Sequence, residues 1–194
     1  MPTIDLKAPN HNLSNSLLTP IAAMSLEAIE NHVGSYQFVE GTNQKALIVN
    51  WEPYEQNFND KIKELQFHER IHQPIQVWVA VDFKNYRKAY FDVFHDIEKH
   101  NNLVVDHIFN RKLARIWNYQ YIRLIHVDRS INSSSGKGQE TFGVDLMKDN
   151  EDYRVKVRER NIAYADPFEL LKIVNLKVGK KPFLNVSDSF TFWY

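Results

Sequence analysis

The sequence predicts an α+β fold of mixed helices and short strands. Two observations carry this: helical and strand-like patterns intermingle, and they lack the regular strand–helix–strand beat of a parallel α/β sheet. The length adds a third, since 194 residues with 43% hydrophobic and 25% charged side chains suit one globular domain, 1–194, with a core large enough to fold without disulfides.

The elements follow in order. Residues 1–18, rich in Asn, Pro and Ser, read as an irregular arm. Thr19-Pro20 has the form of an N-cap followed by a proline at the first helical position. It predicts a helix with Ile21, Met24, Ala28 and Ile29 on one face, closed by Gly34. Tyr36 to Val39 and Lys45 to Trp51 are strand-like and joined by Glu-Gly-Thr-Asn, which predicts a hairpin. Pro53 opens a second helical stretch with Phe58, Ile62 and Leu65 on one face, ended by Pro74. Ile75 to Phe83 alternates as a strand. Asn85 to His100 is an amphipathic helix whose stripe is Tyr86, Tyr90, Val93, Phe94 and Ile97, read as core.

A strand at Leu103 to Ile108, a short helix at Arg111 to Trp117 and a strand at Tyr121 to Val127 come next. Residues 133–138, Ser-Ser-Ser-Gly-Lys-Gly, read as a loop, and 150–164 are ambiguous between strand and helix. Asp166-Pro167 caps a helix through about Leu176, and an aromatic tail, Phe190 to Tyr194, ends the chain.

Composition excludes several functions. The absence of cysteine removes thiol nucleophiles, disulfide scaffolds and Cys-based zinc knuckles. Apolar runs such as Val77 to Val81 are strand-sized, so no membrane helix is expected, and the N-terminus shows no basic-then-apolar leader, so a cytoplasmic setting is expected. Formal charge is zero, but unevenly spread: residues 106–138 carry six basic against two acidic residues, and 139–152 carry one against five. A basic island of this kind attracts polyanions over about a Debye length, roughly 8 Å in physiological salt.

Two constellations can carry chemistry. His68-Glu69-Arg70-Ile71-His72 spells H-E-x-x-H, in which histidines one helical turn apart ligate zinc and the glutamate activates water. His95, Glu98 or His100 would be the third ligand of such a zinc metallopeptidase. Against it, Pro74 stops the helix and Arg70 sets a cation between the ligands, so the stretch reads as a solvated helix end.

The second is residues 103–140, LVVDHIFNRKLARIWNYQYIRLIHVDRSINSSSGKGQE. Asp-His ends a first strand, an apolar second strand follows, and Arg129 then leads through Ile131 to Asn132. This resembles the HNH, or ββα-metal, endonuclease family. The resemblance implies a central ββα-metal-like unit at 103–140, with 1–102 as a helix–strand scaffold and 141–194 completing the domain. It implies metal-dependent hydrolysis of nucleic-acid phosphodiesters, with His107 as general base and Asp106 and Asn132 on one divalent ion. Oxygen ligands favour Mg²⁺ or Mn²⁺, with Zn²⁺ or Ni²⁺ admissible if His126 replaces Asn132. The family's middle Asn, which orients the base, falls at Tyr121, and Asn118 stands three residues earlier. Arg111, Arg115, Arg123, Arg129 and Lys137 would hold backbone phosphates, of DNA before RNA. An inhibitory or regulatory protein partner is compatible with such a nuclease. The alternative is a non-catalytic binding or interaction protein, with the aromatic tail as its first surface.

Overall fold

A computed structural model describes residues 19–51, 73–97, 102–135, 161–165, 169 and 172–173. The H-E-x-x-H stretch with Glu98 and His100, Lys137, the acidic 139–152 segment and the aromatic tail lie outside these residues, as do the N-terminal arm and the Gly136 to Gly138 turn.

Helices and an antiparallel sheet combine, as an α+β chain should. Strands β1 (Pro20–Ala23), β2 (Tyr36–Phe38), β3 (Ala46–Asn50), β4 (Ile75–Ala80), β5 (Leu103–His107), β6 (Tyr121–Asp128) and β7 (Ile162–Tyr164) form one sheet in the order β2-β3-β4-β6-β1-β7, with β5 also on β6. The described helices between them are α1 (Leu26–His32), α2 (Tyr86–Val93), α3 (Arg111–Ile116) and α4 (Arg129–Ser135), and residues 169, 172 and 173 are also helical.

Strand β6 is the spine. Tyr121 to Leu124 pair with β4 along one edge, while along the other Tyr121 and Ile122 pair with β1 and Leu124 to Asp128 pair with β5. Strands β1 and β5 therefore lie end to end beside it. Its run Ile122 to Ile125 is buried on both faces, which explains a nearly continuous apolar sequence instead of strict alternation.

The expected helix at Thr19 begins later. Pro20 to Ala23 is a buried strand between β6 and β7, and the helix starts only at Leu26, where the Ser25 hydroxyl accepts from the Ala28 amide at 3.1 Å. Proline is tolerated as the first residue of a strand, and the register with β7 shifts immediately after it. Gly34 does close the helix, with φ +156°, and a Cβ there would collide with the Asn50 carbonyl oxygen. The hairpin of β2 and β3 forms as expected, turning through Gly41, Asn43 and Gln44 at positive φ.

Helix α2 is shorter than its amphipathic pattern and ends at Val93, followed by a turn through Ile97. Conversely, α4 runs through Ser135, where Ser and Gly content predicts a loop; Ile131 anchors it in the core. No helix among the described residues is long and apolar enough to cross a membrane.

Candidate functional site

Strand pleating decides the arrangement of the Asp-His pair. Successive side chains of a strand point to opposite faces. His107 pairs with Leu124 and shares that face with Val105 and Tyr90, under α2. Asp106 pairs with Ile125, on the face where Val104, Val127, Ile131 and Ile173 pack.

His107 is 7% exposed, and its Nε2 is buried with no hydrogen-bond partner. The Tyr86 ring lies 4.4 Å away, tilted by 57°. Burial first, and then Arg111, pull its pKa down to about 4; Lys172 and Arg87 act the same way, and only Asp106 opposes them. The imidazole is therefore neutral at pH 7 and sits in a net positive field.

Asp106 already holds a cation. Lys172 Nζ lies 2.6 Å from its Oδ2 and 3.2 Å from the His107 carbonyl oxygen. Asn132 is half-buried on α4, which opens beside Asn102 at the start of β5, while Asp106 and His107 close its other end. Base and carboxylate face opposite ways, and an ammonium occupies the carboxylate. Among the described residues no three His, Asp or Glu side chains gather at one point.

The other nominated residues have local tasks. His126 Nδ1 is hydrogen-bonded with the Tyr90 hydroxyl at 2.8 Å. Asn118 has φ +62° and takes the left-handed position that stops α3, where Asn is favoured. Tyr121 is half-buried against the cluster of Trp78 and Val49, three residues from the strand partner of His107 and on the other face, and its phenol pKa is raised by burial and then by Tyr36.

The arginines divide. Arg123 is 0% exposed and opposite Trp78 in the sheet, so it is core and not part of a basic surface; burial lowers its pKa to about 10. Arg115 bonds Asp82 at 2.6 and 3.0 Å. Arg129 is exposed at the start of α4. Arg111 remains, and the structure supplies a companion that the sequence reading missed. The guanidinium carbon of Arg87 lies 5.3 Å from the centroid of the Tyr86 ring and that of Arg111 lies 6.0 Å from it. Both arginines are exposed, and neither has an acidic partner among the described residues.

A signal for this pair was present. Helices α2 and α3 carry no acidic residue in the first turn, although carboxylates are favoured there, and set Arg87-Lys88 and Arg111-Lys112 in their place. Asn110 caps α3 by accepting from Lys112 and Leu113, whereas Asn85 makes no side-chain cap bond for α2. A neighbouring cleft of about 550 Å³ between Glu40–Lys45 and 82–92 mixes three acids with three lysines, and so selects neither sign of ligand.

No family model, curated protein or solved structure matches the chain.

Proposed function

We propose that the protein binds nucleic acid, contacting a single-stranded segment through Arg87, Tyr86 and Arg111, without catalysis at the Asp106–His107 strand end. The carrying observation is the pair of exposed guanidiniums, brought by two helices onto one half-buried ring. Guanidiniums held over an aromatic ring keep their edges for phosphate and a flat face for a base. Base stacking of this kind contributes about 1–3 kcal/mol per base and tolerates any sequence. The positive field at His107, set by Arg111, Lys172 and Arg87, supports the same polarity. Fluorescence anisotropy with a labelled single-stranded oligonucleotide tests the reading. The Arg87→Ala/Arg111→Ala variant is expected to bind at least about tenfold more weakly; wild-type affinity in that variant refutes it.

A second reading is metal-dependent phosphodiester hydrolysis, the activity that the HNH resemblance implies. One observation favours it: β5 and β6 pair antiparallel, with α3 between them in the chain, and α4 follows β6, with Asp106 on the side where Ile131 of α4 packs. That reading requires His107 to reach solvent and Lys172 to leave Asp106. Nicking of plasmid or RNA only with added Mg²⁺ or Mn²⁺, abolished in a folded His107→Ala variant, would establish it in place of simple binding.

A further inference from the structure

Lys172 and Asp106 stand 66 residues apart in sequence and meet at the end of β5. The ammonium donates to the Asp106 carboxylate and to the His107 carbonyl, two oxygens of one strand end. The Lys172 side chain is 7% exposed and that of Asp106 25%. An ammonium this enclosed requires an anionic partner, because an isolated buried charge is strongly disfavoured. The pair is therefore a unit, and removing either member strands the other.

A carboxylate beside a main-chain carbonyl is also the kind of oxygen set that a hard divalent cation takes. An ammonium and a divalent ion cannot share it, since like charges at contact distance repel in a poorly solvated site. We propose that Lys172 is the resident cation of the Asp106 site: an ammonium from the C-terminal part of the chain fills the position that the HNH resemblance gives to metal, and it excludes divalent ions while the pair is intact. The proposal does not depend on the Arg87–Arg111 surface: it is read from divalent-ion binding at Asp106 and that surface from oligonucleotide binding, so either can fail alone.

Mn²⁺ titration of the full chain, followed by calorimetry and by the electron paramagnetic signal of free Mn²⁺, tests it. The wild type is expected to show no saturable one-to-one site. Lys172→Met should gain one Mn²⁺ site at least about tenfold tighter than anything in the wild type, and Lys172→Met/Asp106→Asn should lose it. A wild-type site that disappears in Asp106→Asn overturns the proposal, as does a folded Lys172→Met that gains none. Should Lys172→Met fail to fold, amine acylation of the wild type read by mass spectrometry decides. Lys172 is expected to resist labelling with and without Mn²⁺, and labelling that appears only with Mn²⁺ overturns the proposal.

Discussion

Tyr86 and His107 face each other at 4.4 Å between ring centroids, one from the first turn of α2 and the other from the last residue of β5. This contact joins the enclosed imidazole to the exposed arginines, because the same tyrosine ring lies beneath Arg87 and Arg111. One turn further along α2, the Tyr90 hydroxyl is hydrogen-bonded with His126 Nδ1 at 2.8 Å, the ring centroids standing 6.1 Å apart. Both histidines on this face of the hairpin are thus covered by tyrosines of α2.

Sealing His107 makes stability depend on pH. The unfolded chain takes up a proton near 6.5 and the folded chain only near 4, so acid favours unfolding between these values. The contribution is fully present above 6.5 and is lost as pH falls toward 4, for a total of roughly 3 kcal/mol. In urea denaturation at about pH 7 and about pH 4.5, His107→Phe should lose roughly 2–3 kcal/mol less than the wild type between the two conditions. Equal losses in both proteins would contradict the burial of this imidazole.

Arg123 and Arg111 should behave in opposite ways. Arg123→Ala empties a fully enclosed space and is expected to cost about 3 kcal/mol of stability. Arg111→Ala removes an exposed side chain and should change stability by less than about 0.5 kcal/mol while weakening oligonucleotide binding. Thermal unfolding and anisotropy on the same two proteins check this, and a stable Arg123→Ala with impaired binding would place Arg123 at the surface.

Gly34 should not tolerate a side chain. Its φ of +156° and the collision of a Cβ with the Asn50 carbonyl oxygen mean that Gly34→Ala must move the backbone of one of the two. A loss of about 3 kcal/mol is expected, readable as a fall in thermal midpoint. A midpoint unchanged from wild type would contradict the close passage of these two backbones.

Local patterns predicted local structure well. The strand-like Lys45 to Trp51, the alternating Ile75 to Phe83 and the apolar Tyr121 to Val127 each specify their element without distant help. Pro20 to Ala23 is different: its residues suit the start of a helix, and pairing on both edges with β6 and β7 overrides that preference. At α4, burial of Ile131 outweighs a serine run of low helix propensity.

The opposite orientation of Asp106 and His107 was legible, since adjacent residues of one strand point to opposite faces. The Lys172–Asp106 pair was not, because nothing local to either residue reports a partner 66 positions away. Arg123 was misplaced for a related reason. Charge counting treats every arginine as surface, whereas its position between Ile122 and Leu124 in a doubly covered strand makes it core.

The salt dependence of oligonucleotide binding in EDTA tests the central claim most directly. Two arginine–phosphate contacts to a single strand contribute about 1.4 to the slope of log affinity against log salt. Binding should persist in EDTA, and the Arg87→Ala/Arg111→Ala protein should show a slope shallower by about that amount. Binding that vanishes in EDTA, or an unaltered slope in the double variant, would contradict the account.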